Sequence, residues 1–82
     1  MSDRATILVV EDEVDLADLL CYHLEREGYH CRRSTDGEQA LAEASRQPPD
    51  LMILDRMLPR LSGDEVALRM KRDPRTASVP II

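Results

Sequence analysis

An alternation constrains this chain more than any other feature: short β-branched apolar runs, each followed by a stretch of helical period. "ATILVV" (5–10) is almost continuously apolar, the pattern of a strand buried on both faces of a sheet. "VDLADLLCYHLEREG" then brings Leu16, Leu20 and Leu24 round every four residues, with Ala17 and Cys21 beside them and Asp15, Asp18, Glu25 and Glu27 on or near the other side. That spacing predicts an amphipathic helix stopped by Gly28 as a left-handed cap. "YHCRRS" (29–34) predicts a strand with a weak apolar face, and Arg32 and Arg33 suit a sheet edge, where charge discourages stray pairing. "DGEQALAEASR" predicts a second helix, with Asp36 as cap, Gln39 in capping-box register and a narrow stripe of Ala40, Leu41 and Ala44; Pro48 and Pro49 end it. "LMIL" (51–54) is a third strand and "RMLPRLSG" a loop. Ser62 and Glu65 form a second capping-box pair for a helix carrying Val66 and Met70 on one face, with Leu68 nearer its flank. After the breaker-rich "DPRTAS", "VPII" (79–82) starts a fourth strand.

The order β-α-β-α-β-α-β with short connections predicts right-handed crossovers and a doubly wound parallel α/β sheet with helices on both faces. With 82 residues this is one small domain. The net charge of −5 repels phosphate backbones, and two Tyr with no Trp or Phe offer no base-stacking platform, so direct nucleic-acid binding is not expected. No apolar run approaches the ~20 residues of a membrane span, and "MSDRA" lacks the basic head and greasy middle of a signal peptide. A cytoplasmic location is therefore expected, and with it two reduced, packed cysteines, Cys21 and Cys31. A zinc site from Cys21, His23, His30 and Cys31 is disfavoured, because Cys21 and His23 point ~160° apart around a helix. The two histidines read as ordinary surface residues.

Two apolar strands stop at acids. The first runs into Glu11, Asp12 and Glu13; the third ends at Asp55. In an open parallel sheet the carboxyl ends of the strands share one edge, where ligands bind as the strand order reverses. If the polar second strand lies outside, the first and third are neighbours, and Glu11, Asp12 and Asp55 converge. Two carboxylates ~4 Å apart repel by roughly 4 kcal/mol at an effective dielectric near 20. A proton or a cation must offset that, and a few hard oxygens without His or Cys favour Mg²⁺ with retained waters. The bland alternative is that such acids are solvated helix-start residues. It is preferred for Glu13 and Asp15, and the site for Asp12 and Asp55.

"ILVVEDE" followed by "LMILDRMLPRLSG", with Pro59 four and Gly63 eight residues after Asp55, resembles the receiver domain of bacterial two-component response regulators, and "STDGEQAL" is similar to the start of that family's second helix. "LDRMLP" looks most like receivers of winged-helix transcription factors. The resemblance implies a flavodoxin-like topology of strand order 2-1-3-4-5, with residues 1–82 an incomplete receiver domain lacking the fifth strand and the last two helices. It implies Asp55 as phosphoacceptor from a sensor histidine kinase. Mg²⁺ would be held by Asp12, by Glu11 directly or through water, by Asp55 and by the Met57 backbone carbonyl, while Pro59 and Gly63 shape the loop. It implies signalling, with output through transcription, rather than conventional enzymatic turnover. DNA would be reached only through an effector domain, and no membrane is involved. The family's hydroxyl residue after the fourth strand and lysine after the fifth are absent from this chain. Lys71 lies in the third helix, and Thr76 and Ser78 precede the fourth strand, so none of them matches. With a strand and a helix face uncovered, residues 1–82 alone are expected to fold poorly, or to borrow cover as a homodimer or chain-swapped assembly.

Other classes fit less well. A topoisomerase–primase fold wants Asp-x-Asp where this chain has "DRM"; a phosphatase wants Asp-x-Asp where it has "EDE"; a dinucleotide-binding fold wants a glycine-rich turn after the first strand. The remaining alternative is a non-catalytic interaction or scaffold module with unused acids, which Mg²⁺ titration would distinguish.

Overall fold

A computed structural model describes residues 4–82; the opening Met1–Asp3, part of the stretch read above for a signal peptide, lies outside the described residues. The elements follow as β1 (Thr6–Val10), α1 (Val14–Arg26), β2 (His30–Ser34), α2 (Gly37–Arg46), β3 (Leu51–Leu54) and α3 (Gly63–Arg72). The three strands form one parallel sheet in the order β2-β1-β3, with Val10 opposite Ser34 on one side and Leu54 on the other. The polar strand is at the edge, as its composition requires. Residues 79–82 reach the far side of β3 but form only an isolated parallel bridge, Met52 to Ile81, supported by Met52 N–H to the Pro80 carbonyl (2.9 Å) and Ile82 N–H to the Met52 carbonyl (3.0 Å). The bridge lies on the side of β3 away from β1, the place the 2-1-3-4 order gives a fourth strand.

Alternation along the strands divides the core into two layers. Leu8, Val10 and Met52 face α2 and α3, where Ala40, Ala44, Val66 and Met70 close over them. Ile7 and Val9 face the other way, onto Cys21 of α1 with Leu20 and Leu24 at its margin. The inner face of α1 is centred on Ala17 and Cys21, so Leu16, counted above in the apolar stripe, lies at its edge and is exposed.

The helix ends show why the chain stops where it does. At Gly28 φ is +97°, the Tyr29 N–H reaches the Leu24 carbonyl and the Gly28 N–H that of Glu25, the double bond pattern of a left-handed glycine cap. Asp36 accepts from the Gln39 N–H (2.8 Å), but the Gln39 side chain returns to the Thr35 N–H (2.7 Å) rather than to Asp36. Ser62 accepts from the Glu65 N–H, whereas the Glu65 carboxylate pairs with Arg69 (3.0 Å); only half of that capping box forms. Thr76, fully buried, donates its hydroxyl to the Met70 carbonyl (2.8 Å) at the end of α3.

The edge arginines are not idle charges. Arg32 reaches the Glu43 carboxylate (3.0 Å) and the Gln47 carbonyl (2.7 Å), fastening the end of α2 to β2. Arg33 pairs with Asp18 of α1 on the opposite face. One expectation is overturned: Cys21 and Cys31 are not separate packed thiols but a disulfide between α1 and β2, with Cα atoms 5.7 Å apart. Cys31 lies on the α1 face of β2, beside Ile7 in the register, and that face meets the buried side of α1. The expectation of reduced thiols rested on a cytoplasmic location alone, and the packing of α1 on β2 brings the two sulfurs together.

Candidate metal and phosphoacceptor site

Both acidic segments emerge at the carboxyl edge of the sheet. Glu11 directly follows β1, and its N–H donates to the Ser34 carbonyl (3.0 Å), tying the acid segment to the end of β2. Asp55 directly follows β3, and its N–H donates to the Val10 carbonyl (3.2 Å), extending the β1–β3 ladder by one bond. The two acids are therefore held by backbone bonds from adjacent strands, not by loop conformation alone.

The consequence is convergence. Glu11, Asp12 and Asp55 each place a carboxylate oxygen within 4.8 Å of those of the other two. Glu11 is buried, Asp12 exposed and Asp55 between them. Burial pushes the Glu11 carboxyl above the usual glutamate range, and the neighbouring charges of Asp55 and Asp12 push the same way; the Glu13 N–H on Glu11 Oε2 (3.1 Å) opposes them. A buried carboxyl under that pressure takes up a proton or is neutralised by a cation. Three hard oxygen donors, without a nitrogen or sulfur ligand among them, fit a small divalent ion such as Mg²⁺ that retains waters.

Glu13 and Asp15 stay outside the cluster. Glu13 is the N-cap of α1 without a side-chain cap bond, and Asp15 lies exposed in the first turn, where the positive helix end favours it.

The loop after Asp55 turns tightly. Asp55 Oδ1 accepts the Met57 N–H (3.0 Å), turning the chain sharply away from the strand, and the Met57 side chain is exposed. The Leu61 N–H bonds back to the Pro59 carbonyl (2.8 Å) around Arg60, whose φ of +69° makes this a three-residue γ-turn. Gly63 returns to the strand end, its N–H donating to the Arg56 carbonyl (3.1 Å). A Cβ on Gly63 would lie 2.6 Å from both the Asp55 carbonyl oxygen and the Arg56 Cα, so only glycine permits this approach. Gly37 has a comparable role that the sequence did not reveal: a Cβ there would lie 2.7 Å from the Leu61 carbonyl oxygen and from Val66. Lys71 is exposed on α3.

Comparison with known proteins decides the family. Residues 7–82 match the response regulator receiver domain. The chain belongs to that family. It is 44% identical over 77 residues to the phosphate regulon transcriptional regulatory protein PhoB of Pseudomonas aeruginosa, covering 94% of this chain and 34% of that protein. It is 48% identical over 66 residues to the alkaline phosphatase synthesis transcriptional regulatory protein PhoP of Bacillus subtilis, covering 80% and 28%. The receiver chain thus spans about a third of the length of these relatives. Among solved structures, the N-terminal domain of a response regulator receiver protein from Methanoculleus marisnigri superposes with a TM-score of 0.90 at 39% identity, over 94% of this chain and 63% of that one. The receiver domain of a sensor histidine kinase from Pseudomonas aeruginosa, solved with magnesium coordinated in its active-site cleft, superposes with a TM-score of 0.91 at 31% identity, over 95% and 64%. The fold is the flavodoxin-like receiver fold, here with three parallel strands and three helices among the described residues. Among the described residues no helix is long and apolar enough to cross a membrane.

Proposed function

We propose that this receiver takes a phosphoryl group from a sensor histidine kinase onto Asp55, in the cytoplasm, and passes the signal to an output that controls transcription. The single observation that carries the reading is the meeting of Glu11, Asp12 and Asp55 within 4.8 Å at the ends of two adjacent strands. Glu11, Asp12, Asp55 and the Met57 carbonyl would hold Mg²⁺, which supplies charge neutralisation between an anionic nucleophile and an anionic phosphoryl group. Asp12 and Asp55 would hold the ion directly, with Glu11 direct or through water.

An oxygen of the Asp55 carboxylate attacks phosphorus in line. A P–O bond forms, the P–N bond to the kinase histidine breaks, and the imidazole leaves with the electron pair. Asp55 Oδ1 already accepts the Met57 N–H, so Oδ2 has more free acceptor capacity. Gly63 and the γ-turn at Arg60 keep the loop close behind Asp55, which holds the nucleophile still. Asp55 is half-exposed, accessible to a partner's histidine or a small acyl phosphate. The action is one of accepting and relaying a group, with self-dephosphorylation as its reset, rather than turnover of a free substrate. DNA is reached through an effector domain, and assembly as a homodimer would give the output its symmetry.

The test is incubation of the natural protein with a small acyl phosphate, with Mg²⁺ or with chelator, followed by mass analysis. A single phosphoryl adduct at residue 55 is expected, dependent on Mg²⁺ and lost in Asp55→Asn. An adduct that survives that substitution, or that forms equally in chelator, overturns the proposal. A scaffold with unused acids would show neither the adduct nor a response to Mg²⁺.

A further inference from the structure

We infer that Cys21 and Cys31 are a reversible thiol–disulfide couple that fastens α1 to the edge strand β2. They are the two cysteines of the sequence, joined across 5.7 Å between Cα atoms, a separation at which a bridge needs no backbone movement. The inference stands apart from the phosphoacceptor reading, since neither sulfur belongs to the acid cluster.

The two sulfurs are not equivalent. Cys21 is 3% exposed, on the inner face of α1 among Ile7 and Val9. Cys31 is only partly buried, on a strand whose outer edge has no neighbouring strand among the described residues. An outside thiolate therefore meets Cys31 first, and the leaving group is the Cys21 thiolate, which apolar surroundings disfavour. In the bridged form the Arg32 carbonyl lies 3.8 Å from the Cys31 sulfur, an acceptor within reach of the thiol that reduction would free.

Closure needs an oxidant, and a small-molecule disulfide suffices. The Cys31 thiol loses its proton and attacks one sulfur of that disulfide, releasing one small thiolate, which takes up a proton. The Cys21 thiol then loses its proton and attacks Cys31 in the mixed disulfide, releasing the second. Two protein thiols are oxidised and one small disulfide is reduced to two thiols. The bridge closes a loop with a sequence separation of 10 residues. On the chain-entropy model a loop of that size shifts the folding equilibrium about 100-fold toward the native state. The segment so tightened includes the second half of α1, its glycine cap and the start of β2.

The experiment equilibrates the natural protein in mixtures of a small thiol and its disulfide, quenches exchange with acid, unfolds the protein, alkylates free thiols and maps residues 21 and 31 by mass. Both should be alkylated under reducing ratios and neither under oxidising ones, with the same midpoint approached from either side. The oxidised form should show an unfolding equilibrium about 100-fold less favourable than the reduced form. Cys21→Ser should trap the small thiol on Cys31, whereas Cys31→Ser should leave buried Cys21 unmodified in the folded state. Both cysteines alkylated at the most oxidising ratio, or the adduct appearing on Cys21 instead of Cys31, overturns the inference.

Discussion

Replacing Glu11 with Gln should stabilise the metal-free protein and weaken its response to Mg²⁺. The side chain keeps its shape, and its carbonyl oxygen can still accept the Glu13 N–H. What disappears is a charge within 4.8 Å of two others. At that separation each pair repels by about 3.5 kcal/mol at an effective dielectric of 20 and about 0.9 kcal/mol at that of water. Asp12 is exposed and Asp55 partly so, which places both pairs near the lower figure. Two pairs then give about 2 kcal/mol, and salt reduces it, so a gain of about 1–2 kcal/mol is expected in urea melts at pH 7 with chelator. The sign with pH follows from the raised Glu11 pKa. Below the ordinary glutamate pKa, Glu11 is protonated in both folded and unfolded states and the substitution gains nothing. As pH rises through the raised folded value the folded state must surrender a proton it holds tightly, and the advantage of Gln grows, then levels off. Wild type should recover the lost stability when Mg²⁺ is added, by about 2.7 kcal/mol at a hundred times its Kd, whereas Glu11→Gln should recover much less. A variant that is less stable than wild type in chelator, or that keeps the full Mg²⁺ response, would refute the claim that these acids repel one another around a cation site.

Other substitutions test the scaffold and the site separately. Gly63→Ala should cost about 1–3 kcal/mol, because its Cβ would collide with backbone atoms of Asp55 and Arg56, and should slow phosphoryl uptake at Asp55; unchanged melting and uptake would show that the loop has slack. Met52→Ala should cost about 2–5 kcal/mol in chemical denaturation, since Met52 is fully buried between the sheet and α2–α3. Asp36→Ala should cost about 1 kcal/mol through loss of the cap on the Gln39 N–H, with Asp36→Asn recovering most of it. Hydrogen bonds from Arg32 and Arg46 hold the Glu43 carboxyl below its usual range; its contribution is present above the ordinary glutamate pKa and lost as pH falls through the lowered value, so Arg32→Ala should flatten that acid limb of the stability–pH curve.

Much of this molecule was legible before any coordinate was known, for identifiable reasons. Buried parallel strands read as uninterrupted apolar runs, so "ILVV" and "LMIL" located the two strands whose ends carry the acids. Asp36, Ser62 and Gly28 marked helix boundaries because caps are local chemistry. The polar second strand announced its edge position, which made β1 and β3 neighbours and the three carboxylates a cluster. What escaped depends on contacts between segments far apart in sequence or on choices among equivalent partners. The Cys21–Cys31 bridge requires knowing that α1 lies on the β2 side of the sheet, in register with Cys31. The reciprocal halves of the capping boxes went elsewhere because Thr35 and Arg69 offered Gln39 and Glu65 competing partners. Gly37 gave no signal of its approach to Leu61, since a glycine opening a helix is unremarkable by itself.

The arrangement also explains why the acids can be crowded at all. A buried glutamate beside two aspartates would open a flexible loop, yet here each acid segment is tied by backbone hydrogen bonds to the end of an adjacent strand, Glu11 to Ser34 and Asp55 to Val10. Those bonds are supported by the paired layers beneath them, Leu8, Val10 and Met52 on one face and Ile7 and Val9 on the other. The stability of the sheet is thus drawn on to keep like charges together, and a cation that relieved the repulsion would be bound the more tightly for it. Substitutions that loosen the strand ends, without touching any carboxylate, should therefore weaken Mg²⁺ binding while lessening the apo-state penalty that Glu11→Gln removes. Preorganised repulsion, rather than the carboxylates alone, is what suits this edge of the sheet to a cation.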